Sequence, residues 1–576
     1  MSLVQKARSI RRRLAGAIHR HGLIHVATVV GLTMVRQGAF NAVRMAGSGR
    51  PFPQQPSARS LRGPAAPPPI LQPDLDPDYS LTDAAWTTWA PLLAAPTDAK
   101  DERPVRAALD VVIHGGPAAA EALAATRTAV EAMGEGVRLW SAQTEAAPGR
   151  FVLFLKAGDL PSPDLPLAIG RAARGGVCEA VSFDMARRIG DRVQPLLLPG
   201  ANPTLLRSAD YLFSRVALRG AALGDAGALG AADPRARMLA WLGDQPPLQA
   251  RGRWRHIGQT LATVAVSDAD IEVQRQAALA EDRKPLRRRT AGGATVVICT
   301  RDKGHLMRQL ARQLLAKDRT AVDEVVIVSN NTTNPYALQT LKDLSTEPRV
   351  RVLKQDEPFN FSRLCNAGVR AGQGRGPILL LNDDIAPVSE DWIERLIERL
   401  DDPVVGAAGP LLLYPDERVQ HAGMYLGHAG IAGHILRGAR LPETDYLLTG
   451  CAAREVSAVT GAVLMTQRAA FEALNGLDEQ LATYLQDVDY CLRLRGAGLI
   501  NVFDPGAVLI HMESATIRSM ENAAFHHRRY AERLRFVERW GDLLVNDPLH
   551  PRGFGLDDET LRRLTGPHGR RPGALA

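Results

Sequence analysis

The sequence predicts an α/β protein, with a mainly parallel sheet in its second half, from three observations. Between residues 294 and 400, short β-branched apolar runs alternate with stretches of helical periodicity. One strand follows another after about 30 residues, the size of a βαβ unit. The apolar runs end abruptly on polar or acidic residues, as strands do where a sheet edge meets solvent.

The elements follow in order. "ATVVICT" (294 to 300) is the first strand, and "HLMRQLARQLLAK" follows with Leu306, Leu310 and Leu314 on one helical face. "EVVIVSNN" (324 to 331) and "RVRVLK" (349 to 354) read as the second and third strands. "NFSRLCNAGVRAGQG" is a helix closed by glycines, and "PILLLNDD" is a fourth strand. In "SEDWIERLIERL", Ser389 is the expected cap, and Trp392, Ile393, Leu396, Ile397 and Leu400 form the apolar face. Alternation of this kind implies a parallel sheet covered on both faces. Further on, "YLQDVDYCLRLRGAG" (484 to 498) starts a helix and "AVLIHMESATIR" (507 to 518) starts as a strand.

The 576 residues leave room for two to four domains, and 45% hydrophobic with 23% charged residues is ordinary for globular protein. The formal charge of +8 is unevenly placed. Residues 1 to 50 hold nine Lys/Arg and no acid, which leaves the remainder near −1. This stretch reads as a basic amphipathic arm suited to an anionic membrane surface, or as a solvated basic helix. No nucleic-acid partner is expected. Residues 51 to 99 are a proline-rich linker with a short helix, and 546 to 576 a basic tail. Five scattered cysteines without C-x-x-C spacing suggest reduced thiols, and no apolar run is long enough to span a bilayer.

In an open α/β sheet, ligands bind beyond the carboxyl ends of the strands. Three such ends carry polar groups: Thr300-Arg301-Asp302, Ser329-Asn330-Asn331 and Asn382-Asp383-Asp384. Adjacent carboxylates repel, so either water solvates them at a turn or a cation lies between them. Mg²⁺ or Mn²⁺ with few protein oxygens and a substrate's phosphates would suit. Neither a Walker lysine loop nor G-x-G-x-x-G follows the first strand, which argues against a P-loop or dinucleotide enzyme. Asp487 and Asp489 start one helix about 200° apart, so only one can face a cleft. His511 closes the last strand, as a structural residue or as a third ligand.

Six ordered stretches resemble the family 2 glycosyltransferases of bacterial surface-polysaccharide and O-antigen synthesis, of rhamnosyltransferase-like type. They are "DEVVIVSNNTTNP", "RVRVLKQDEPFNFSRLCNAGV", "ILLLNDDIAPVSEDWIERL", "VSAVTGAVLMTQRAAFEALNGLDE", "QDVDYCLRLRGAG" and "LIHMESATIR". The resemblance implies a GT-A fold over 290 to 545, a nucleotide-sugar donor, a glycan or lipid-linked glycan acceptor, and inversion. It makes Asn382-Asp383-Asp384 the counterpart of the metal motif, with Asp383 or Asp384 as ligand and His511 near the diphosphate. It makes Asp487 the catalytic base, although Gln486 stands where Glu is usual. Thr300, Arg301, Ser329, Asn330, Arg363, Asn382 and Asp383 are the expected donor contacts, with Ser329 replacing the usual Asp. The expected location is the inner face of the cytoplasmic membrane.

In the first half, "ALDVVIHGG" and "RFVLFLKAGDLPSPDLPLAIGRAA" repeat the strand, acid, proline, helix layout. Only Asp159 survives of the acids, close after Lys156, and Asp233 is the single acid where an acid-pair helix would fall. Residues 100 to 280 are therefore expected to be a degenerate GT-A-like domain without catalysis, or an unrelated α/β domain. Ser329 and Gln486 also keep open a non-catalytic pseudo-transferase that binds nucleotide sugar or glycan as a scaffold.

Overall fold

The computed structural model describes residues 80–94, 105–114, 120–141, 146–174, 177–223, 233–244, 251–284, 286, 292–316, 320–441, 445–512 and 523–564. The basic arm, the proline-rich stretch up to residue 79 and residues 565–576 lie outside the described residues. Among the described residues no helix is long and apolar enough to cross a membrane. All five cysteines are free thiols.

The first half builds a nine-stranded sheet. Its order is Leu81–Thr82, Arg192–Leu196, Ala180–Ile189, Ala217–Arg219, Phe151–Lys156, Leu109–His114 and Val137–Leu139. Trp254–Thr263 pairs with Ala180–Ile189 in parallel. The strand, acid, proline, helix layout is present, with helix Leu165–Ala172 after strand Phe151–Lys156. Asp159 is fully buried against Arg215, at 2.8 and 2.9 Å, and also accepts the Ala265 and Lys156 N–H groups. Its charge is neutralised inside the protein, as a buried carboxylate requires.

The second sheet has ten strands. They are β1 (Ala294–Thr300), β2 (Val322–Ser329), β3 (Val350–Lys354), β4 (Ile378–Asn382), β5 (Ile385–Pro387), β6 (Val405–Leu413), β7 (Val419–His421), β8 (Arg454–Val456), β9 (Val463–Thr466) and β10 (Ile500–His511). The main path runs β3-β2-β1-β4-β9-β6-β10-β5. The first four strands are parallel, as the alternating pattern requires. Beyond β4 the sheet is mixed: β9 is antiparallel to β4 and β6, whereas β10 is parallel to β6. The helices are α1 (Gly304–Leu314), α2 (Pro335–Leu344), α3 (Phe361–Ala371), α4 (Trp392–Arg399), α5 (Arg468–Ala473), α6 (Gln486–Gly496) and α7 (Ala523–Trp540). On α4, Trp392, Ile393, Leu396 and Ile397 are buried as expected. Ser389 does not cap this helix. Asp391 occupies the cap position, and Ser389 Oγ instead accepts the Val508 N–H at 2.9 Å.

The two sheets share a tight interface. Tyr446 Oη accepts the Leu197 N–H at 2.8 Å and lies 3.1 Å from the Pro195 carbonyl. Asn202 exchanges hydrogen bonds with the Glu455 backbone, both at 3.0 Å. Residues 546–564 are no free tail: Phe554, Leu561 and Leu564 are buried in the same core as the second sheet. Burial of three apolar side chains anchors this part of the expected basic tail.

Candidate active site

The carboxyl ends of β1, β2 and β4 open on one cleft of about 300 Å³. Its wall includes Thr300, Arg301, Asn330, Asn382, Asp383, Asp384, Asp487 and His511. Eight of the residues expected from the sequence are thus gathered by chain topology. Two are not on the wall. Ser329 is buried, with its hydroxyl donating to Thr332 Oγ1 at 2.8 Å. Arg363 is held by Glu357 and Glu479 at 3.3 and 3.0 Å. Asn330 reaches the wall, but its side-chain amide donates to the Gln355 and Glu357 carbonyls and fixes the loop before α3.

The adjacent carboxylates face different partners. Asp383 accepts the Thr300 hydroxyl at 2.7 Å and the Lys303 ammonium at 2.9 Å. Asp384 lies 3.2 Å from His511 Nε2 and 3.7 Å from Lys303. Lys303 is therefore a cation between the two acids. Burial raises the Asp383 pKa, and Lys303 and Thr300 pull it back. His511 Nδ1 donates to Gln420 Oε1 at 2.7 Å, which fixes the ring and turns Nε2 toward Asp384.

The expectation of three ligands changes here. Among the described residues, no group of three or more His, Cys, Asp or Glu side chains forms a metal cage. Asp383 is engaged by Thr300 and Lys303, whereas Asp384 faces His511 at 3.2 Å. Two ligand atoms about 3 Å apart are what cis positions on an octahedral ion with ~2.1 Å bonds require. The 3.2 Å between Asp384 Oδ1 and His511 Nε2 fits that requirement. The residues present suit a cation held by two side chains and completed by phosphate oxygens and water.

Asp487 stands at the start of α6, half-buried on the cleft wall. Its Oδ2 accepts the Gly461 N–H at 2.7 Å, and its Oδ1 the Val488 N–H at 2.9 Å. Burial raises its pKa, and the two N–H groups oppose that shift. Leu485, just before the helix, has φ 64°, a left-handed backbone that costs a leucine on the order of 1 kcal/mol. Asp489 is fully buried on the other side of α6. It accepts Arg493 at 2.8 Å, Arg539 at 2.7 Å and Trp540 Nε1 at 3.0 Å. The 200° separation thus gives one acid to the cleft and one to the core.

Sequence reasoning missed Lys303, Phe359, Phe361, Thr460, Thr483 and Phe525, all on the wall. For Lys303 a signal existed. It occupies the N-cap position of α1, where a cation opposes the helix dipole and supplies no cap. Gln486 also lines the cleft, with Oε1 buried and without a hydrogen-bond partner.

Residues 295–459 match the family model described as Glycosyl transferase family 2. The chain is 31% identical over 419 residues to the O-antigen biosynthesis protein RfbC of Myxococcus xanthus, which covers 67% of this chain and 32% of that protein. It is 29% identical over 257 residues to the N-acetylglucosaminyl-diphospho-decaprenol L-rhamnosyltransferase of Mycobacterium tuberculosis, covering 40% of this chain and 81% of that one. Among solved structures, GalNAc-T7 with UDP, GalNAc and Mn²⁺ aligns with TM-score 0.36 and 14% identity, over 44% of this chain and 49% of that one. The chain spans about a third of the length of the longer curated relatives it matches. Strands β1 to β4 and the acids at the end of β4 thus belong to a segment that carries a family 2 glycosyltransferase domain.

Proposed function

We propose that this cleft moves a sugar from a nucleotide-diphosphate donor to a hydroxyl of a growing cell-surface glycan, free or lipid-linked, with inversion at the anomeric carbon. The carrying observation is that Asp487 shares one cleft with the Asp384–His511 pair and with Lys303. The relatives' names support a surface-polysaccharide acceptor.

Asp384 and His511 would hold Mg²⁺ or Mn²⁺, which when bound offsets charge on the leaving diphosphate. Lys303 and Arg301 add fixed positive charge on the same side. Asp383, itself held by the Thr300 hydroxyl, keeps the Lys303 ammonium in place. Asp487, ionised, takes the proton from the acceptor hydroxyl as it attacks from the opposite face. One displacement inverts the centre, so a single catalytic carboxylate suffices.

The test is release of nucleoside diphosphate from a panel of nucleotide sugars, with acceptor extract, in Mn²⁺ and in EDTA. Metal-dependent release that is lost in Asp487→Asn supports the assignment. A second reading rests on Ser329 being turned to Thr332 and on Gln486 in the usual place of Glu. It is a pseudo-transferase that binds donor without turnover. Tight donor binding with no release from any sugar would favour it and overturn the enzymatic reading.

A further inference from the structure

A second cavity, of about 530 Å³, lies where the first sheet, the second sheet and residues 548–552 meet. It is separate from the catalytic cleft. The cleft uses Asp487 and His511 at one end of α6 and β10, whereas this cavity uses Arg495 and Ile500 at the other. From Ile500 to His511 is on the order of 30 Å at ~3.3 Å per residue.

Its wall is strongly basic. Arg251, Arg255, Arg495 and Arg552 line it, and Glu455 is the only carboxylate among the lining residues. Glu455 is already engaged: Arg251 meets it at 2.7 Å, and Thr204 at 3.3 Å. Among the described residues, Arg255 and Arg495 meet no carboxylate. Arg495 donates only to the Ser457 hydroxyl, at 3.0 Å. Trp254 supplies an aromatic part of the wall. Two unneutralised guanidinium groups in one concave, partly apolar site focus positive potential. Their planar forks match phosphate oxygens in paired hydrogen bonds. A monocarboxylate would leave most of this charge unmatched, whereas a diphosphate meets it.

We propose that this cavity binds a diphosphate-bearing ligand, at a site distinct from the donor cleft. The chemistry is shared by nucleoside diphosphates and by polyprenyl-type diphosphate esters.

The experiment uses the full chain in EDTA, where the acids of the cleft disfavour a bare polyanion. Inorganic pyrophosphate is titrated by calorimetry into wild type, Arg255→Gln, Arg495→Gln and Lys303→Gln. Arg255 is exposed, so its variant folds. The expected result is binding weakened about tenfold or more in each cavity variant, as for loss of a charge-assisted pair. Lys303→Gln should keep the Arg255- and Arg495-dependent binding, whatever it changes at the cleft. Uridine diphosphate and a short prenyl diphosphate, run in parallel, distinguish the two sources by which binds more tightly and still depends on Arg255. Undetectable pyrophosphate binding, binding unchanged in Arg255→Gln and Arg495→Gln, or binding lost in Lys303→Gln alone would each overturn the proposal. Because the test uses neither metal nor turnover, its failure leaves the reading of the catalytic cleft untouched.

Discussion

Asp487 and Asp489 sit two residues apart with opposite energetics. Burial raises the Asp487 pKa above its unfolded value. Between those two values the folded chain therefore binds more protons than the unfolded chain, and stability falls as pH rises through that window. At neutral pH the ionised carboxylate is a net cost to the fold. Asp487→Asn, which keeps the shape and can still accept the Gly461 N–H, should leave melting temperature unchanged or higher. Single-turnover transfer should fall about 10²- to 10⁴-fold with donor affinity near wild type. Wild-type transfer should decline as pH drops through the raised Asp487 pKa, a limb absent from the Asn variant. Asp489→Asn should do the reverse, because it strips two arginines and Trp540 of a buried partner. Calorimetry would show a loss of about 3 kcal/mol or more with turnover intact in the folded fraction. A transfer rate in Asp487→Asn above about a tenth of wild type would remove this residue as the base.

At the scale of elements, α3 lies close against β1 and β2 because Gly368 has no side chain. A Cβ there would stand 2.4 Å from Val297 Cγ1 and 2.9 Å from Val328 Cγ2. Gly368→Ala should therefore destabilise by about 1 to 3 kcal/mol in urea, despite the gain in helix propensity. Donor affinity should weaken with it, since the loop before α3 is tied to Asn330. Strands β1 to β4 and the acid pair on α6 were legible in the sequence because both depend on local periodicity. Ser389 was not, since its partner Val508 lies 119 residues away. Nor could the division of labour between Asp383 and Asp384 be read from neighbours in the chain. It depends on Lys303 from α1 and His511 from β10. Ser329 and Arg363 were expected at the donor for their position in the motifs. Thr332 holds Ser329, and Glu357 together with the distant Glu479 holds Arg363 elsewhere.

For the whole molecule, the first sheet holds an ion pair in its core, and Arg215→Ala would leave Asp159 buried and charged. That variant should cost about 3 to 5 kcal/mol without a direct effect on donor binding in the folded fraction. The arm of nine basic residues should draw the chain to anionic vesicles by about 1 kcal/mol per near-surface charge. Co-sedimentation that ignores deletion of residues 1 to 50, or added salt, would exclude that role. The seam between the sheets has a consequence for anyone who cuts or recombines this chain. The hydroxyl of Tyr446 and the backbone of Glu455 find their partners on Leu197 and Asn202, outside the family-matched segment. Residues 295–459 are therefore not an excisable cassette. A chimera that imports another enzyme's donor specificity must carry residues 195–208 with it, or it will expose a buried phenol and an unpaired backbone to water.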